Sequence, residues 1–225
     1  NVDNGSETAG SGEGTRGRAT AETARESGVA RIAAGTHGCA EKSSLETTPK
    51  ERYQALARDF AGIGRRLAIC GMHIHVGIED DEMRVDLMNQ ARYFLPHLLM
   101  LSTSSPFWQG EDTGLKSYRL AIFHELPRTG LPQRFESYGE YLRTIDILVK
   151  NGVIEDATKI WWDLRPSARF PTLDMRVTDV CPHFDLLMAV ELLYVCVSRM
   201  LWRLLCHTLS LPDFALVLVT ADLRR

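Results

Sequence analysis

Apolar and polar positions follow two different rhythms along this chain. In CGMHIHVG, Cys70 to Gly77, they alternate, with Met72, Ile74 and Val76 on one side and His73 and His75 on the other. A period of two belongs to a half-buried strand, here expected over Leu67 to Ile78. The alternation returns in KIWWDLRPSARFPTLDMRVTD (159–179), which reads as two strands around a proline-containing turn. Elsewhere the period is helical. Tyr53, Leu56, Phe60, Ile63 and Leu67 predict an amphipathic helix over 49–67, opened by Thr48 at the N-cap, Pro49 at N1 and Glu51 at N3. Leu87, Met88, Ala91, Leu95 and Leu98 form one stripe of a helix expected from Asp80 to Leu101. Ser137 and Glu140 cap a further helix that ends at Asn151-Gly152, and an apolar helix over Leu186 to Leu205 closes the readable pattern. VARIAAGTHG (29–38) reads as a short strand running into a loop, and STSSPFWQGEDTGLKS (102–117) as a long polar loop. Residues 1–20 hold little that could be buried and are expected to be disordered.

Mixed periods without a strict strand–helix–strand alternation predict an α+β fold, a mainly antiparallel sheet with helices packed on one face. At 225 residues the chain can form one good core. A net charge of −3 gives no reason to expect nucleic acid or an anionic membrane. The most apolar run, 186–205, contains Glu191, Arg199 and Arg203, so it reads as a core helix rather than a membrane span. Five scattered cysteines, odd in number and without CxxC spacing, suit reduced thiols in the cytoplasm, and no secretory signal pattern is visible.

The unusual chemistry lies on the polar side of the alternating segments. His73 and His75 share a face. So do Asp174, Arg176 and Thr178, and so do Trp161, Asp163 and Arg165. A merely solvated face would carry Thr, Lys and Glu. This set instead offers imidazole and carboxylate to a cation and guanidinium to an anion. A His-x-His pair could also begin a zinc hydrolase site, but that site needs further ligands, and His37, His97, His124 and His183 lack ligand-like spacing.

GMHIHVGIEDDEMRVDLMNQARYFLPHLLMLSTSSPFWQGEDTGLKSYR and KIWWDLRPSARFPTLDMRVTDV resemble the glutamate–cysteine ligase type 2 family of carboxylate-amine ligases, over roughly residues 25 to 203. The resemblance implies a catalytic domain similar to that of glutamine synthetase, whose sheet binds ATP and Mg²⁺ or Mn²⁺. It also implies a reaction, phosphorylation of a carboxylate by ATP followed by displacement of the phosphate by an amine. By the same resemblance His73 and Asp174 are metal ligands, while His75 and Arg176 contact the nucleotide. Arg165 and Arg169 join Arg176 in holding the transferred phosphate or substrate carboxylate. The loop from Ser105 to Arg119, with Asp112, Thr113 and Tyr118, lines the amino-acid pocket. The expected partners are small molecules, glutamate or a similar carboxylate and an amino-acid amine. Neither nucleic acid nor membrane is expected, and a homo-oligomer is left open.

Three departures qualify the resemblance. The family's opening GxExE strand of metal-binding glutamates has no counterpart here, Asp174 stands where the family usually has Glu, and LLCHTLSLPDFALVLVTADLRR differs from the family's polar continuation. The expectation is therefore a partial catalytic domain over 21–203, incomplete at both ends, flanked by a non-native tail (1–20) and an atypical one (204–225). The alternative to a working ligase is a non-catalytic truncated relative that keeps the fold and weak nucleotide binding.

Overall fold

The computed structural model describes residues 21–29, 32–39 and 68–207. The helix expected over 49–67, the segment 1–20 and the tail beyond His207 lie outside these. The chain divides into two units, 1–33 and 34–225. In the first, helix α1 (21–26) ends at Gly28, whose φ of 69° is left-handed. The Val29 amide donates to the Ala24 carbonyl at 2.8 Å and the Gly28 amide to Arg25 at 3.0 Å, a Schellman ending.

In the second unit, strand β1 (Ile74–Gly77) leads through three connecting residues, 78–80, into α2 (Asp81–Ala91). Asp80 caps that helix by accepting the Met83 amide at 2.7 Å. The single helix expected from Asp80 to Leu101 is instead two. A 3-10 turn (Arg92–Phe94) separates α2 from α3 (Leu95–Ser102). Pro96 is the physical cause, because it supplies no amide to the helical ladder and its ring crowds the carbonyl four residues earlier. The apolar stripe survives the break, and Leu87, Met88, Ala91, Leu95 and Leu98 are all buried.

The polar stretch after α3 is not all loop. Strands β2 (Phe107–Trp108) and β3 (Glu111–Asp112) form a hairpin around Gln109 and Gly110, with φ of 54° and 87°. Two left-handed residues in a two-residue turn match strand twist. Helix α4 (Tyr118–Phe123), strand β4 (Thr129–Gly130) and helix α5 (Tyr138–Lys150) follow. Ser137 caps α5 as its sequence predicts, accepting the Glu140 amide at 3.1 Å. A 3-10 turn (Ala157–Lys159) leads to β5 (Trp161–Trp162), which pairs in parallel with β4. Strands β6 (Leu164–Pro166) and β7 (Thr172–Met175) come next, then α6 (Phe184–Cys206). Helix α6 runs without a break through residue 203. Among the described residues no helix is long and apolar enough to cross a membrane.

The central sheet is antiparallel in the order β1-β7-β6, so β7 lies in the middle. Ile74, Leu164, Leu173 and Met175 turn to its apolar side and are buried beneath α2 and α6, which also pack on each other. Helices on one face of an antiparallel sheet match the expected α+β class. Of the strand expected over Leu67 to Ile78, the described residues 68–78 form strand only at 74–77, with isolated bridges at Ile69 and Gly71. Upstream the ladder slips by one residue, from Ile74 opposite Met175 to Gly71 opposite Asp179. The extra residue on the 176–178 side makes a β-bulge, and bulges redirect side chains. The segment 29–38 shows no strand among its described residues. Thr36 makes only an isolated bridge to Ile69.

Candidate functional site

Antiparallel register decides which polar residues meet. His75 stands opposite Asp174 on one side of β7, and Arg165 stands opposite Asp174 on the other. Asp174 is 1% exposed, which is unusual for a carboxylate. Its Oδ2 accepts from Arg165 Nε at 3.1 Å, and its Oδ1 lies 3.4 Å from His75 Nε2. Oδ1 has no hydrogen-bond partner. His75 is held from its other nitrogen, with Nδ1 2.9 Å from Thr172 Oγ1. Arg165 also donates through Nη1 to the carbonyls of Ile160 and Thr158.

One step along the strands, the Arg176 amide donates to the Asp163 carbonyl at 2.8 Å. The Arg176 guanidinium lies 5.6 Å from the centre of the Phe123 ring. Its Nε and Nη1 are buried and have no hydrogen-bond partner. Burial and then the neighbouring Arg165 charge lower its pKa to about 10, against the opposing pull of Asp174, so it remains a cation at neutral pH. His73 sits within the field of the same groups. Loss of solvation and then Arg176 bring its pKa down to about 4, with Asp174 opposing. The ring keeps an exposed edge. A neutral imidazole at neutral pH keeps a lone pair for a ligand.

Of the residues singled out from the sequence, the sheet therefore gathers His73, His75, Asp174, Arg165 and Arg176 on one face. Arg169 is exposed in the turn between β6 and β7. Thr178, expected on the same face, is buried beyond the bulge and donates to the Met72 carbonyl at 3.0 Å. Asp163 is 3% exposed, and its Oδ1 lies 2.8 Å from His124 Nε2. His124 carries no motif around it and joins this cluster only through the fold.

The residues expected to line an amino-acid pocket fall into two groups. Asp112 is exposed at the hairpin and accepts the Gly114 amide at 3.0 Å. Thr113 donates to the Pro106 carbonyl at 2.8 Å, and the Tyr118 ring lies 5.8 Å from that of Trp108. Ser105 and Arg119 are buried. Ser105 donates to Asp179 Oδ2 at 2.7 Å and accepts the Arg119 amide at 3.1 Å. Asp179 is the residue that the sequence did not single out. It is 0% exposed and also accepts the Ser104 amide at 3.0 Å and the Ser117 hydroxyl at 2.9 Å. One buried carboxylate thus anchors both ends of the 104–117 segment. The serine-rich flanks of that segment were the available signal.

Unpaired guanidinium donors fit an anion such as a nucleotide phosphate. The unpaired Asp174 oxygen and neutral His73 fit a divalent cation as two ligands. Among the described residues no three His, Cys, Asp or Glu side chains are grouped to hold a metal. Further ligands for such an ion would be water, phosphate oxygens or residues outside that set.

Residues 7–212 match the model of Glutamate-cysteine ligase family 2. A relative from Rhodospirillum rubrum named "Putative glutamate--cysteine ligase 2" is 59% identical over 196 residues, 87% of this chain and 50% of the relative. Relatives of the same name from Jannaschia sp. and Paracoccus denitrificans are 55% and 53% identical, over 83% and 82% of this chain and 50% and 49% of their own lengths. The chain belongs to Glutamate-cysteine ligase family 2, and it spans about half the length of these curated relatives.

Proposed function

We propose that this family member binds ATP on the polar face of the β1-β7-β6 sheet and serves an ATP-dependent carboxylate-amine ligation of glutamate–cysteine type, within a catalytic domain like that of glutamine synthetase. In that reaction the γ-carboxylate of glutamate attacks the terminal phosphorus of ATP and ADP leaves. The amine then attacks the acyl phosphate, and inorganic phosphate leaves as the amide forms. A carboxylate is a poor electrophile, and phosphorylation gives it a leaving group. Phosphoryl transfer asks a protein mainly for positioning and charge stabilisation.

The observation that carries this reading is Arg176. A half-buried guanidinium with two buried, unpaired donors lies beside a buried carboxylate with an unpaired oxygen. Buried polar atoms are normally satisfied, and those left open inside a cluster favour a ligand. Arg176 would hold a phosphate, with His75 at the edge of the nucleotide site. Arg165 would support Asp174 and, with Arg169, help hold the transferred phosphate or the substrate carboxylate. His73 and Asp174 would hold Mg²⁺ or Mn²⁺, which when bound neutralises phosphate charge. Asp112, Thr113 and Tyr118 would line the amino-acid side.

The test is ATP-dependent phosphate release with glutamate and cysteine, run beside ATP binding by calorimetry. Binding together with glutamate- and cysteine-dependent release supports the ligase. Binding without release supports a non-catalytic member. Absence of ATP binding refutes the site assignment.

A further inference from the structure

Arg119 is 2% exposed, among the most deeply buried large side chains of the chain. Its Nη1 faces three successive backbone carbonyls, those of Arg176 at 2.8 Å, Val177 at 3.3 Å and Thr178 at 3.2 Å. These residues form the bulge where the ladder slips its register. A bulge turns carbonyls out of the ladder and leaves them in want of donors. The guanidinium supplies those donors.

Two further contacts fix it there. A Cβ placed on Gly71, across from the bulge, would collide with Arg119 Nη2 and stand 2.6 Å from its Cζ. Glycine at 71 is therefore what allows the guanidinium its place. The Phe123 ring, one turn along α4, then lies against both cations, 5.2 Å from Arg119 Cζ and 5.6 Å from Arg176 Cζ. Burial lowers the Arg119 pKa, and Asp179 opposes that most strongly. The same Asp179 anchors Ser105, which accepts the Arg119 amide.

We infer that Arg119 is a positioning residue. It clasps the 176–178 bulge and so aims the unpaired donors of Arg176 at the anion site, without itself touching the ligand. The Gly71 gap and the Asp179–Ser105 anchor make the clasp possible. This rests on the anion-binding reading of Arg176, and it moves Arg119 from the substrate pocket, where the sequence places it, to a shell behind that site.

The experiment uses the full chain with ¹⁵N-arginine labelling and inorganic triphosphate as probe. The Arg176 Nε–Hε resonance, assigned from Arg176→Lys, reports the aim of that side chain whether or not anything binds. Arg119→Lys keeps the charge, but its ammonium ends one bond short of the Nη1 position that meets the three carbonyls. Ser105→Ala is a milder variant that leaves the guanidinium in place and removes the acceptor of the Arg119 amide together with one donor to Asp179. We expect both to shift or broaden the Arg176 resonance. Arg119→Lys should weaken triphosphate binding about tenfold, the size of one misaligned charge-assisted hydrogen bond. Combined with Arg176→Lys, it should cost little more than Arg176→Lys alone, whereas a purely structural role gives additive losses. If Arg119→Lys does not fold, the Ser105→Ala resonance decides. An unmoved Arg176 resonance in the variants that fold, or additive losses, overturns the inference. If wild type binds no triphosphate, the anion-site reading fails, while the resonance still judges the clasp.

Discussion

Replacing Asp179 should separate the energy of a buried anchor from that of its shape. The wild-type carboxylate accepts from three donors, the Ser104 amide and the Ser105 hydroxyl on Oδ2 and the Ser117 hydroxyl on Oδ1. Asp179→Ala removes every acceptor. The Ser104 amide cannot turn away, although the two hydroxyls can rotate toward other partners or water. Hydrogen bonds to charged groups contribute about 1.5–3 kcal/mol each, and a stranded buried donor costs about 1–3 kcal/mol. With the hydroxyls partly rescued, the expected loss is about 3–5 kcal/mol. Asp179→Asn is different. If the amide oxygen replaces Oδ2, it keeps the Ser104 and Ser105 donors. The amide NH₂ then faces Ser117, whose hydroxyl can reverse and accept. All three contacts persist in neutral form, so the expected loss is about 1–2 kcal/mol. Arg119 also loses a compensating charge in both variants, so that contribution cancels in the comparison. Urea unfolding followed by tryptophan fluorescence measures both losses, with an unchanged denaturant slope as the condition for comparing them. Equal losses for Asn and Ala would refute the hydrogen-bond account, and a loss below about 0.5 kcal/mol for Ala would refute the anchor itself.

Other outcomes follow from the same geometry. His73→Ala and Arg176→Ala should each weaken ATP binding by calorimetry, Arg176→Ala by about tenfold or more, while the exposed His97→Ala leaves it unchanged; equal effects at all three would point to folding instead. His73 has a folded pKa of about 4 against an ordinary 6.5, so the unfolded chain binds the extra proton between them. Its contribution to stability is therefore present above pH 6.5 and lost as pH falls toward 4. Screening at the exposed ring limits it to about 1 kcal/mol, and His73→Asn should flatten that part of the urea-midpoint profile. Leu173→Ala, on the buried side of the central strand, should cost about 2–5 kcal/mol; a loss under about 1 kcal/mol would mean that the sheet does not centre the core.

The sheet face was legible because strand alternation is local. Once His73 and His75, Asp174 and Arg176, and Asp163 and Arg165 were each read as sharing a side, antiparallel pairing was enough to place most of them together. Helix positions were legible for the same reason, and Ser137 caps α5 where its spacing says it should. Features that depend on one residue overriding a pattern were harder to see. The apolar stripe passes through Pro96 without interruption, so its period conceals the 3-10 break. Gln109-Gly110 closes a two-residue hairpin although glutamine is not a usual left-handed turn residue. The bulge at 176–178 has no sequence signature, and it alone moves Thr178 off the polar face and creates the carbonyls that Arg119 holds. The His124–Asp163 contact spans 39 positions and the Asp179 anchor 62 to 75. No local spacing encodes such pairs.

Charge pairing is the reason for proposing that Arg176 holds an anion. Asp174 answers Arg165 directly at 3.1 Å. Asp163 is held by His124 at 2.8 Å, and Asp179 is enclosed by serine donors. Arg119 spends one end of its guanidinium on three carbonyls. Each carboxylate in the cluster thus has its own partner, and none accepts a hydrogen bond from the buried Nε or Nη1 of Arg176. A cation buried without a partner is costly, and a protein retains it where a ligand completes the pairing. The stability of the empty sheet and the affinity for phosphate are then linked at this position. Arg176→Met should weaken anion binding while stabilising the free protein or leaving its stability unchanged, by urea unfolding. Clear destabilisation of the free protein by Arg176→Met would show that Arg176 already has its partner within the fold and needs no anion to complete it.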